Sequence, residues 1–346
     1  MNESKAEKLK KVFWGKSDYV PLGICLKCEE KSEISYTVKD IADDPQKALI
    51  CAEHQWKSAR LTESDAVPFV ESNFLESLVP SIFGARVHIA PGGSIDVYPP
   101  FEDIYATENI HIDDIFNSEM EKALKHHEYL FRNAPDDVYV TTSRVMSPLD
   151  CAVVLRGGDF YMDLLTEPEL STEFMNKITD VTIRVLKELK KAVNQPLNET
   201  VTPRGFVFPG IRLTGDAIVN VSAKMVEETF CPYYKMFENE FSKVMLHYCC
   251  TPAPSTHVIG GLIKGGGVIW ADNWQGYKTM VGENTFITGM GICTDVCKED
   301  ILSGKLFEDP FFTFRERPLT ASVTVDTVDE GKMVYEIWQE KMNRRQ

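Results

Sequence analysis

Short apolar and β-branched runs recur along this chain, separated by longer stretches in which apolar residues return every three or four positions. The first pattern suits strands and the second suits amphipathic helices. Candidate strands lie at 20–26, 66–72, 138–145, 209–215, 243–249, 267–273, 285–292 and 322–328. Candidate helices lie at 3–15, 45–61, 118–133, 171–193, 222–242 and 330–345, the last with basic residues in its final turn, where they complement the helix dipole. Strands alternating with helices imply βαβ units and a parallel sheet. Eight of them predict an α/β fold of the (β/α)8 TIM barrel kind, one domain over 1–346. An N-terminal helical extension precedes it, and a Pro-, Gly- and Asp-rich insertion lies near 75–115.

Composition narrows the function classes. With 37 basic and 52 acidic residues the net charge is −15, which argues against non-specific binding to nucleic acid or an acidic membrane surface. The first residues, MNESKAEKLKKVFWGK, carry no apolar core of a secretory signal, and no apolar run approaches the roughly 20 residues that span a bilayer. Nine cysteines without such a signal read as reduced thiols in a cytoplasmic protein.

In a barrel, chemistry belongs at the C-terminal ends of the strands. Those ends carry Cys25 and Cys28, Glu71 and Asn73, Arg144 and Ser147, Asp216, His247 with Cys249 and Cys250, Asp272 with Asn273, Cys293, and Asp326 with Asp329. Within LHYCC, alternation puts His247 and Cys249 on one side of a strand. An imidazole and a thiolate side by side suit zinc, which still needs about a third protein ligand from elsewhere. A hydrogen-bonded strand histidine beside ordinary thiols gives the same pattern, so both readings stand at this point. The CxxC at Cys25 and Cys28 lacks a second pair, and Cys293 with Cys297 shares that ambiguity. Cys51, Cys151 and Cys231 fall in helical patterns and are expected in the core, whereas His126 and His127 on a charged helix are expected on a solvated face. The GxxxxGK[ST] phosphate loop and the strand-linked GxGxxG are both missing.

Several stretches, in order, resemble the uroporphyrinogen decarboxylase superfamily. These are GKSDYVPLG after the opening helix, TSRVMSPLDCAVVLRGGDFYMDLLTEPE, the helix FMNKITDVTI, IRLTGDAIVNVSAKMVEETFCPYYKMF, and LHYCC. The resemblance implies the same barrel and two branches of activity. The decarboxylases carry RQAGR after the first strand, where this chain reads ICLKCEEK, and an aspartate after the second, where Glu71 or Asn73 lies nearest. The cobalamin-dependent methyltransferases hold zinc with His-x-Cys and a distant cysteine. His247 and Cys249 match the pair, Cys293 or Asp326 is left to complete it, and Cys250 replaces the usual glycine. The motif DxHxxG is similar to Ser255–Gly260, but Ser255 stands in the aspartate's place, so a corrinoid would arrive on a separate partner protein.

The expectation is therefore methyl transfer between a corrinoid protein and a small thiol or pterin. Asp216, Asp272 and Arg144 would be the catalytic groups; Asp216, Asp272 and Asn273 would bind a cofactor such as tetrahydrofolate; and His247, Cys249 and Cys293 would hold zinc. The runner-up is decarboxylation of a smaller carboxylated substrate neutralised by Arg144, Arg204 or Arg212, and a third option is a non-catalytic ligand-binding barrel. Expected partners are a small-molecule substrate and the corrinoid protein, with no nucleic acid or membrane; a homodimer is left open.

Overall fold

A computed structural model describes residues 4–14, 19–27, 36–72, 76–90, 95–247, 268–271, 292–309, 312 and 319–343. Its main sheet has seven strands in the order Leu22–Leu26, Leu319–Val325, Ile292–Asp295, Val268–Ala271, Lys243–His247, Gly210–Thr214 and Val145–Met146. Every neighbouring pair is parallel. Phe69–Glu71 and Tyr139–Thr141 form a separate parallel pair. The α/β reading and the parallel sheet hold. The strand expected at 285–292 lies further on, at Ile292–Asp295, and residues 285–291 are outside the described ones.

The closed barrel expected from the pattern is not seen: among the described residues no ladder joins the short pair to the larger sheet. Local hydrogen bonds account for both gaps. On one side, the entry to the second strand spends its amides elsewhere: Asp65 N–H donates to Leu22 O at 2.9 Å, and Val67 N–H to Gly205 O at 2.8 Å. On the other side a hairpin of Thr200–Val201 and Val207–Phe208 lies against the third strand, where the Thr141 and Thr200 hydroxyls meet at 3.0 Å. The chain then jogs, so that the strand expected over 138–145 splits into Tyr139–Thr141 and Val145–Met146. Gly205 in the hairpin turn has φ +76, and a Cβ there would lie 2.8 Å from Val67 O, so the approach to the second strand requires glycine.

Alternation along the strands sorts the two faces. Leu22, Ile24, Ile211, Leu213, Val244, Leu246, Ala321 and Val323 point outward into the largest apolar cluster, packed by the helices. The long helix Pro168–Ala192 enters this cluster through Phe174, Ile178, Val181, Val185 and Leu189, a stripe at helical spacing. Phe69 and Met245 point the other way and join Phe206, Phe208 and the N-terminal helix Lys5–Phe13 in a second cluster, where Phe13 meets Phe208 edge-on at 5.1 Å. The insertion near 75–115 forms the short helix Leu78–Ile82, a hairpin of Arg86–Ile89 and Ile95–Tyr98, and a tight turn at Tyr105–Thr107. The long helix holds the segment after that turn, because Lys177 donates to the Thr107 and Glu108 carbonyls and Arg184 to those of Ile112 and Asp113.

Helices Pro45–Leu61 and Ser118–Asn133 have the predicted limits. The stretch 222–242 is interrupted by a wide turn at Val226–Phe230 ahead of Cys231–Phe241, where Pro232 has no N–H to continue the regular ladder. His126 and His127 are buried rather than solvated, because Ser118–Asn133 packs against the helices Pro45–Leu61 and Pro168–Ala192 and His127 meets the third strand's end at Ser143. Cys151 is in the core as expected, while Cys51 and Cys231 are half-buried. No helix among the described residues is long and apolar enough to cross a membrane.

Asp65 ties the chain's two ends to the second strand's entry. It accepts from Tyr19 Oη at 2.6 Å, Leu22 N at 2.8 Å and Tyr335 Oη at 2.8 Å, while Gln339 donates to Tyr19 Oη. Asp65→Ala strands three donors and is expected to lower stability by about 3 kcal/mol, measured as a lower urea midpoint with an unchanged slope.

Candidate active site

The side chains that share the inner face with Phe69 and Met245 turn polar toward the C-terminal strand ends. Glu71 ends the second strand, Arg212 and Thr214 lie on the fourth, and His247 ends the fifth. Arg144 leaves the third strand just before Val145. The Arg212 side chain is 8% exposed and lies 3.3 Å from Glu71, itself 11% exposed. Arg144 joins the same carboxylate at 3.6 Å and reaches Glu76 at 3.5 Å, and Thr214 also donates to Glu76. Burial raises the Glu71 carboxyl, and the two arginines pull it back. Beside this group a narrow cavity is lined by Glu71, Arg144, Arg212, Thr142, Ser143, Thr200 and Lys190, with room for about one water molecule.

His247 is pushed down to about 4, first by burial and then by the cations of Arg212 and Arg144, against which Asp216 pulls upward. Its imidazole is therefore neutral at physiological pH. Asp216 is exposed and opens the turn Asp216–Asn220, which is anchored because Ala217 N–H donates to Asp150 at 3.1 Å. Burial pushes Asp150 up to about 6.

A second polar group lies elsewhere on the inner face. Arg204, from the hairpin turn, forks onto Asp295 at 3.0 and 2.6 Å, and Ser322 donates to the same carboxylate. The Cys25 thiol is raised by burial, with Arg204 and Asp295 acting in opposite senses.

Of the sequence candidates, Arg144, Asp216, His247 and Glu71 converge. Cys28, Asn73, Cys249, Cys250, Asp272 and Asn273 lie outside the described residues. Cys293 is described only in its backbone, which is level with His247: both pair in register with Trp270 of the strand between them. Ser147 is buried and caps the helix Pro148–Arg156, a structural role. Asp326 accepts from Lys298, which Glu330 also holds. Pattern reading missed Glu76 and Lys190. Lys190 is buried at the end of the long helix, donating to Gln195 and to the Pro196 and Glu199 carbonyls, and burial lowers it to about 7. No spacing rule marks either residue.

The zinc implied by resemblance can be tested against this geometry. A neutral His247 is the form that binds a metal, but two guanidiniums nearby oppose a dication. The set is electrostatically tolerable only with anionic partners, and two thiolates would neutralise Zn²⁺. Among the described residues no group of three or more His, Cys, Asp or Glu is placed to hold a metal.

A uroporphyrinogen decarboxylase (URO-D) family model matches residues 5–195, more than half of the 346. The chain belongs to the uroporphyrinogen decarboxylase family. Among solved structures, a methyltransferase from Methanosarcina mazei shares the family fold with this chain at TM-score 0.65 and 10% identity, covering 98% of this chain and 99% of its own. No curated protein matches the sequence.

Three histidines held below their ordinary value contribute to acid sensitivity. His126 and His247 are lowered to about 4 and His127 to about 3, chiefly by burial. In the unfolded chain each takes a proton near pH 6.5, so the unfolded state binds more protons below that point and stability falls as pH drops from about 6.5 toward 4. His127 alone is expected to remove about 2 kcal/mol at pH 5. Urea midpoints at pH 7 and pH 5 measure it, and His127→Gln should narrow the difference.

Proposed function

We propose that this protein is a cytoplasmic methyltransferase that moves a methyl group between a separate corrinoid protein and a small thiol or pterin. One observation carries the reading: His247 ends the fifth strand on the inner face, in register through Trp270 with Cys293 and with Cys249 two positions further along the chain. The family membership and a methyltransferase of the same fold support it.

The step is an in-line displacement. A bond forms from the acceptor's sulfur or nitrogen to the methyl carbon as the carbon–cobalt bond breaks, its electron pair staying with the corrinoid. The acceptor's proton leaves to a carboxylate or to water. Positioning supplies most of the rate in such a transfer. Asp216 is exposed on an anchored turn, so it can accept a hydrogen bond or proton from an acceptor entering from solvent. With a pterin, Asp216, Asp272 and Asn273 hydrogen-bond the ring. With a thiol, zinc held by His247, Cys249 and Cys293 would lower the thiol's pKa and present it as a thiolate.

Incubation with methylcobalamin and a panel of thiols or tetrahydrofolate should change the cobalamin spectrum; a spectrum that stays flat across the panel refutes the reading. For the thiol case, elemental analysis should find about one zinc per chain, lost in Cys249→Ala.

A second reading has its own observation. Two guanidiniums, Arg144 and Arg212, line one narrow cavity where Glu71 and Glu76 hold them, and a carboxylated substrate would have to displace those side chains to pair with them. Metal-independent decarboxylation that Arg144→Ala reduces at least about tenfold, one bidentate contact's worth, would favour it. An unchanged rate would exclude Arg144 from that role.

A further inference from the structure

The third strand stops where its backbone is taken by a side chain. Ser143 N–H, which could extend the ladder, donates to His127 Nε2 at 3.1 Å. His127 lies on the helix Ser118–Asn133 and is fully buried. Its Nδ1 sits 2.6 Å from Ala123 O, one turn back on the same helix, and a carbonyl can only accept. The ring is therefore the Nδ1–H tautomer, with Nε2 an acceptor for the Ser143 amide. The Ser143 hydroxyl donates to Ser72 Oγ at 3.1 Å, and Ser72 N–H donates to Thr141 O at 3.2 Å. These two serines are the chain neighbours of the ion-paired residues: Ser72 follows Glu71 and Ser143 precedes Arg144.

We infer that His127 is a positioning residue for the candidate active site: by holding the Ser143 amide it sets the direction in which Arg144 leaves the third strand toward Glu71 and Glu76. It touches no substrate. The inference rests on the site proposed above but not on the reaction assigned to it. Burial keeps the ring down at about 3, so the acceptor nitrogen stays unprotonated at any physiological pH and the arrangement is fixed rather than switched. An apolar residue at 127 would leave the Ser143 amide buried without an acceptor, and the strand end would have to shift to recover one.

Arginine labelling by phenylglyoxal, mapped by mass spectrometry, tests this without turnover. His127→Gln presents an amide oxygen near the position of Nε2 and keeps the acceptor; His127→Asn is too short to reach Ser143. In wild type and His127→Gln, Arg144 should be labelled slowly, protected by its two carboxylates. In His127→Asn it should be labelled several-fold faster, while Arg132, whose side chain is 73% exposed, keeps one rate throughout. Equal Arg144 rates in all three proteins overturn the inference. If His127→Asn does not fold, the wild type decides: imidazole ¹⁵N spectra should show the Nδ1–H tautomer, unprotonated down to pH 5. An Nε2–H tautomer overturns the inference, because that nitrogen could not accept the amide. A negative methyl-transfer assay leaves both measurements intact.

Discussion

The inner face of the sheet must hold charge where the described outer-face residues form the largest apolar cluster, and the buried pair of Arg212 and Glu71 is what makes that possible. Both side chains are about nine-tenths hidden, and either one alone would leave an uncompensated charge in a poorly solvated place. The pair joins the second strand to the fourth across the third, with no backbone ladder linking the second and fourth. It also shapes the local potential: burial lowers His247 first and Arg212 and Arg144 add to that, while burial keeps Glu71 easier to protonate than an ordinary carboxylate.

The rest of the architecture is consistent with that demand. The hairpin at 200–208 and the N-terminal helix fill the inner face with Phe13, Phe206 and Phe208, which leaves the strand ends to the polar groups. Where the hairpin and the segment at 62–68 enter, the strands lose their mutual hydrogen bonds and gain specific substitutes from Asp65, Gly205, Thr200 and His127. Each gap in the ladder thus coincides with a side chain or turn that satisfies the freed backbone groups, as buried amides require. The candidate site sits beside these gaps, where the backbone is held by chosen partners rather than by a neighbouring strand.

Much of this was legible in residue order. Alternating strand and helix patterns located most of the strands, and among the residues that pattern puts at strand ends are Glu71, Arg144, Asp216 and His247, which the structure brings to one end of the inner face. Other features left no local trace. His127 reads as part of a charged helix surface, because periodicity says which residues share a face but not which face meets a strand end. Glu76 lies far in sequence from Arg144 and Thr214, Lys190 bonds residues five to nine positions on, and neither carries a motif. Asp326 pairs with Lys298, 28 residues earlier, a contact that no local pattern marks.

By itself, then, the sequence determined the α/β class, the parallel sheet and the family resemblance, since these follow from the period of apolar residues and from short motifs in order. Only the tertiary structure decided how the sheet is joined, which charges are neutralised, and that a buried imidazole holds the third strand's end. Those depend on hydrogen bonds and ion pairs between residues tens to more than a hundred positions apart, and one-dimensional patterns contain no information about such distances.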